Sequence, residues 1–125
     1  MIETLRHIFA EFKPPILFAY VFGSTAAEMH NSQSDLDIAV YMNFEDASYE
    51  LSSMLSLYTE ISRALKRNDI DVVILNTCVN QMLLYEIMTK AKLIYDAAPE
   101  ARAIFEQKTL HAAIDFKEQR ERLFA

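Results

Sequence analysis

Glycine is almost missing from this chain: Gly23 stands alone among 125 residues, where average usage would give about nine. Turns must then be built from Asn, Asp, Ser and Pro. A position that keeps glycine while every other turn does without it is one that needs it. Cysteine is equally scarce. Cys78 has no second cysteine to pair with, which excludes a small secreted scaffold stapled by disulfides, and it reads as a small buried apolar residue. Long hydrophobic runs are absent too: the longest, Ile16 to Phe22, has seven residues, against the roughly 20 that a membrane-spanning helix requires. The opening MIETLRHIFAEFK carries charges every few positions, so no secretory signal is expected there. A reducing cytoplasm is the expected setting, with no membrane partner.

Basic charge is also in short supply. Twelve Lys and Arg stand against 18 Asp and Glu, a net charge of −6. A protein that grips nucleic acid by its phosphates needs a concentrated basic surface. Here the basic residues are scattered, apart from Lys66-Arg67 and the mixed run from Lys117 to Arg122. The acidic balance suits a metal site or a basic partner instead. What remains is ordinary globular chemistry, 52% apolar and 24% charged, which excludes intrinsic disorder. The length predicts a single domain over residues 1–125, large enough to bury roughly two-thirds of its unfolded surface.

Hydrophobic periodicity predicts the elements. Ile2, Leu5, Ile8, Phe9 and Phe12 fall on one helical stripe, which Pro14 and Pro15 end. ILFAYVF at 16–22 is a short continuous apolar run, the pattern of a strand buried on both faces. After Gly23-Ser24, TAAEMH reads as a short helix, with Thr25 and Glu28 at capping-box spacing. A loop over 31–34 leads to a second strand at 35–42. A long amphipathic helix follows over 45–67, with Leu51, Leu55, Tyr58, Ile61 and Leu65 expected on its inner stripe. Asn68-Asp69 ends it, and Ile70 to Leu75 forms a third strand. A helix around 80–91, an extended piece at 93–95 and a closing helix from Pro99 to Leu123 complete the chain. Strands separated by helices predict an α/β (α+β) domain: one mixed sheet flanked by helices.

Chemistry concentrates in the middle of this pattern. Strand periodicity puts Asp35 and Asp37 on one face while Leu36, Ile38 and Val40 take the other. Two like charges about 4 Å apart repel by ~4 kcal/mol at an effective dielectric near 20. A divalent cation resolves that conflict, and hard oxygen ligands select Mg²⁺ or Mn²⁺. Asp71, between Ile70 and Val72, offers a third carboxylate at an inward-reading position; Asp69 has the same parity. Three such carboxylates can hold two metals roughly 3.5–4 Å apart, as in-line phosphoryl or nucleotidyl transfer requires. Gly23 and Ser24 supply the other half. A strand that ends in glycine and opens into a helix N-terminus presents free backbone N–H groups to a phosphate. The glycine keeps a Cβ out of the way, and the serine hydroxyl can donate. Each piece alone is commonly just a turn, a cap or a surface acid; their order and spacing carry the signal.

VFGSTAAEMHNSQSDLDIAVYM, with Gly-Ser followed after ten residues by Asp-x-Asp and then by an Asp on a later strand, resembles the nucleotidyltransferase superfamily with the DNA polymerase β-type palm. More narrowly it is similar to the minimal nucleotidyltransferases (MNT), the antitoxins of HEPN–MNT toxin–antitoxin pairs. Gly23, Ser24, Asp35, Asp37 and Asp71 match that pattern. A segment like AKLIYD at 91–96 and a closing helix are also usual in the family. Many relatives read GSRARG where this chain has Gly23-Ser24-Thr25-Ala26-Ala27-Glu28, so two arginines and a glycine are missing. The resemblance implies transfer of AMP from ATP to a hydroxyl, a tyrosine in descriptions of the family, on a HEPN ribonuclease partner, which silences it. It further implies a hetero-oligomer and two Mg²⁺ ions on Asp35, Asp37 and Asp71, the third near the attacking hydroxyl. Gly23 and Ser24 would hold the pyrophosphate end. A chain of this length leaves no second domain for the acceptor, so the acceptor is expected on another protein. The alternatives are an antitoxin that neutralises by binding alone, and an unrelated metal-binding α/β domain.

The remaining chemistry-bearing residues read more plainly. His7, His30 and His111 have no ligand spacing and are expected on the surface. Met82, Tyr85 and Met88 lie at helical spacing, as core or partner contacts. Ile104, Phe105, Leu110, Ile114 and Phe116 spread over more than one stripe of the closing helix, which hints at an interface.

Overall fold

The computed structural model describes residues 1–23, 35–44 and 50–124. The expected short helix after Ser24, its capping pair, the loop at 31–34, His30 and the first residues of the long helix all lie outside the described residues. Within them the chain runs α1 (Ile2–Glu11), β1 (Ile16–Phe22), β2 (Leu36–Met42), α2 (Glu50–Leu65), β3 (Ile70–Ile74), α3 (Gln81–Lys90), β4 (Lys92–Asp96) and α4 (Pro99–Phe124). The strands form one mixed sheet in the order β3-β2-β1-β4. β1 pairs antiparallel with β2 and β4, and β2 pairs parallel with β3. This is the mixed α/β architecture that the alternation of strand and helix predicted.

The central strand explains why its sequence is apolar throughout. Ile16, Ala19 and Val21 face a core closed by Leu5 and Phe9 of α1 and by Leu57 and Ile61 of α2. Phe18, Tyr20 and Phe22 face a second core closed by Leu84 and Ile87 of α3, with Phe105 of α4 against it. With helices on both faces no position of β1 can turn a polar side chain to water. Each large apolar side chain removed from water this way contributes ~1.5–3 kcal/mol before the entropy of ordering it.

The second face is bolted down by polar contacts. The buried Tyr20 hydroxyl donates to Glu106 Oε2 at 2.7 Å. Arg102 donates to Asp96 Oδ2 at 2.6 Å and to Glu106 Oε1 at 2.8 Å. Burial first, and the bond to Glu106 second, push the Tyr20 phenol well above its ordinary range, so it stays a neutral donor. The first two turns of α4 are thereby tied to β1 and β4.

The long helix differs from its sequence reading. Its buried side is Ser53, Leu57 and Ile61, with Met54, Tyr58 and Leu65 partly buried beside them. Leu51 and Leu55, expected inside, are 64% and 54% exposed. Both stripes share Tyr58, Ile61 and Leu65; packing against α1 and the sheet selects the one through Leu57. No described helix is long and apolar enough to cross a membrane.

Candidate functional site

The expected site residues gather where β1 leaves the sheet and β2 and β3 enter it. Antiparallel register sets Phe22, the last residue of β1, opposite Asp37. Parallel register sets Asp37 beside Asp71. Phe22, Asp37 and Asp71 therefore form a row across three adjacent strands, with Gly23 one residue past the end of β1. Leu36 and Ile38 go into the α1/α2 core, so Asp37 projects from the opposite face, the one that carries α3 and α4. Backbone bonds pin this register at both ends: Leu36 N–H donates to Asp69 O at 2.9 Å, and Leu75 N–H to Val40 O at 2.8 Å. Asn76 extends it by bonding both the N–H and the C=O of Met42.

Gly23 is glycine for two reasons that can be named. Its φ is +73°, in the left-handed region, where an L side chain costs roughly 1–2 kcal/mol. A Cβ built there would also collide with Asp37 Oδ2. The missing side chain thus makes room first for a carboxylate of the chain itself. Ser24 lies outside the described residues.

The carboxylates differ in their surroundings. Asp37 is half-buried, and its pKa is raised, mainly by burial and then by the negative charges of Asp71, Asp35 and Glu86. Asp71 is on the same face but open to solvent rather than directed inward. Asp35 lies just before β2 rather than within it, and is exposed. Asp69 is engaged elsewhere: Arg67 grips it with two hydrogen bonds, Nε to Oδ1 at 2.6 Å and Nη2 to Oδ2 at 2.7 Å. Those bonds hold its carboxyl below the ordinary range. Parity left Asp69 and Asp71 equivalent in the sequence; in the fold Asp71 is the one beside Asp37. A cavity of about 170 Å³ opens between Asp35, Asn68, Asp69, Ile70 and Asp71.

Glu86 is the residue that the sequence did not offer. It sits on α3, at no motif spacing from the other acids, and reaches the site only because α3 crosses the sheet face that Asp37 occupies. Among the described residues no three His, Cys, Asp or Glu side chains form a ready-made metal cluster. In kind and charge, however, the donors fit a hard divalent cation. They are oxygens only, and the half-buried Asp37 stands among like charges that raise its pKa and that a cation would offset. His7 and His111 are exposed on helices, each about 4 Å from a carboxylate one turn on, as surface placement predicts. Cys78 is a free thiol, half-buried at the edge of the second core.

Against known proteins, residues 3–100 match the family model described as polymerase beta, nucleotidyltransferase. No curated protein matches the sequence. Among solved structures, the chain is similar to one from a mutant of the MntA-HpeT toxin–antitoxin, with a TM-score of 0.79 and 19% identity over 99% of this chain and 95% of that one. A toxin–antitoxin structure with AMP-PNP gives a TM-score of 0.77 at 21% identity, over 98% and 94% of the two chains. A third is the complex of a tri-AMPylated Shewanella oneidensis HEPN toxin with its MNT antitoxin, at a TM-score of 0.70 and 21% identity, covering 99% and 96%. At these identities the likeness is one of fold.

Proposed function

The chain belongs to the polymerase beta nucleotidyltransferase family, and from that premise we propose that it is an antitoxin that transfers AMP from ATP to a hydroxyl of a HEPN-family toxin and so silences it. The observation that carries the reading is the meeting of Gly23, just past β1, with Asp37 of β2 and, beside it, Asp71 of β3, with Asp35 at the edge. The toxin–antitoxin neighbours, one with AMP-PNP and one holding a tri-AMPylated toxin, support this choice of substrate class and partner.

In this mechanism the acceptor oxygen attacks the α-phosphorus, a new P–O bond forms, and the bond to the β-phosphate oxygen breaks in line. Pyrophosphate leaves, and the hydroxyl proton passes to Asp71, a carboxylate open to solvent. The backbone N–H groups after β1, with the Ser24 hydroxyl, hold the departing phosphates. Asp35, Asp37 and Asp71 would hold two Mg²⁺ ions, which when bound offset the charge that builds on the phosphate oxygens. Asp37, half-buried and fixed by its place in the register, orients the set. The acceptor comes on a partner, so the working form is a hetero-oligomer in the cytoplasm, without direct contact to nucleic acid.

A second reading keeps the fold and drops the chemistry: an antitoxin that neutralises by binding alone. The sequence Thr25-Ala26-Ala27-Glu28, where relatives carry two arginines and a glycine, favours it, because those arginines would meet the triphosphate. One experiment separates the two. The protein is incubated with the protein co-encoded with it, ATP and Mg²⁺, and both chains are weighed. A partner heavier by one or more AMP units, and unchanged when Asp37→Asn replaces the wild type, supports transfer. A neutralised partner of unaltered mass overturns it in favour of binding.

A further inference from the structure

The last turns of α4 are an exposed helix end with too many apolar side chains. Ala113 is the only α4 residue described as buried, and every described residue after it is exposed. Phe116, Leu123 and Phe124 nonetheless lie there, Phe124 with 82% of its surface open. A polar helix end would need no cover; this one has apolar surface that its own fold leaves wet.

That surface is shaped. Between α3 and α4 runs an apolar groove of about 380 Å³. Ala113, Phe116, Lys117, Arg120 and Phe124 form its α4 wall at spacings of three and four residues, one continuous stripe about 16 Å long. Met82 and Tyr85 form the other wall. The helices run antiparallel: the Lys117 ammonium lies 4.7 Å over the Tyr85 ring, and one turn further on Arg120 meets the Met82 sulfur. Two cations thus stand on the rim of a groove in a chain of net charge −6, against one acid, Glu121. A symmetric second copy would bring the same cations to the same rim and the same negative charge behind them. The rim is complementary to carboxylates instead. Along α3, Glu86, whose charge reaches Asp37, is one turn from Met82 of the groove.

We propose that the groove between α3 and the last three turns of α4 is the docking seat for the acceptor protein, taking an amphipathic helix with carboxylates along its flank. Its apolar side chains enter between Met82, Tyr85 and Phe116, and its acids meet Lys117 and Arg120. Docking there holds the acceptor next to the site that must reach its hydroxyl. This rests on the reading that the acceptor is a protein.

The test uses the full chain and the protein co-encoded with it, with the dissociation constant from calorimetry and AMP transfer from intact mass. Phe116→Glu should weaken binding at least 30-fold, and Lys117→Glu with Arg120→Glu at least 10-fold, with each variant still folded, as circular dichroism and a single cooperative melting transition show. Asp37→Asn should bind as the wild type does and transfer nothing. Wild-type binding by Phe116→Glu overturns the groove and leaves transfer untouched. Binding that depends on the groove without AMP on the partner overturns transfer and leaves the groove standing. A wild type that does not bind the partner at all, or a homodimer that Phe116→Glu dissociates, also overturns the proposal.

Discussion

The carboxylate of Asp37 occupies the space where a side chain on Gly23 would begin. A turn residue and a half-buried acid from the neighbouring strand are thus fitted to each other: a side chain at Gly23 has to displace the Asp37 carboxylate. Gly23→Ala is expected to cost ~1–3 kcal/mol, combining a left-handed φ with displacement of the carboxylate. It should also lower ATP affinity, because Asp37 must move. Urea unfolding with nucleotide titration checks this; an alanine variant equal to the wild type in both would leave Gly23 without the role assigned to it.

Asp37→Asn removes a charge that burial and three neighbouring acids oppose. The variant is expected to melt no lower than the wild type in the absence of divalent cation, and to lose at least 100-fold in transfer. Mg²⁺ should raise the melting temperature of the wild type and leave that of the variant unmoved. Scanning calorimetry with and without a chelator reads both. Equal Mg²⁺ stabilisation of the two proteins would contradict the metal assignment.

Asp69 and Asp71 should separate cleanly. Asp69→Asn breaks the two-bond grip of Arg67 and is expected to lower the unfolding midpoint while transfer stays within a few-fold of wild type. Asp71→Asn should leave the midpoint alone and abolish transfer. Both are read on the same two assays, and the reverse pattern would make Asp69 the third carboxylate.

The tie between β1 and α4 is testable without any ligand. Tyr20→Phe deletes a donor to Glu106 in a buried setting and should cost ~1–2 kcal/mol. A cost near zero in equilibrium unfolding would mean that Arg102 alone satisfies Glu106.

The face of α2 gives a further check. Leu57→Ala, at a fully buried position, should cost ~2–4 kcal/mol. Leu55→Ala, on the exposed side, should stay within about 0.5 kcal/mol. Similar losses at both would restore the stripe read from sequence.

Much of this protein is local and was therefore legible in the chain. The run at 16–22 read as a strand covered on both faces, since it is apolar throughout, and alternation in LeuAspIleAlaVal set Asp37 on the face opposite Leu36 and Ile38 before any neighbour was known. A lone glycine at the end of that strand marked the turn that requires one. The family pattern of Gly-Ser and Asp-x-Asp was likewise visible, because both halves lie within one stretch of chain. What the sequence left undetermined depends on residues distant in it. Leu55 and Leu57 are equally apolar, and only contact with α1 and the sheet decides which is core. Asp69 and Asp71 share a parity, and only Arg67 on one side and the β2 register on the other tell them apart. Glu86 carries no local mark at all; its charge reaches Asp37 because α3 crosses that face of the sheet. Periodicity along a chain fixes which residues of an element share a side, but which side meets the core, and the electrostatic company a residue keeps there, is set by which elements pack together, and that is decided only in three dimensions.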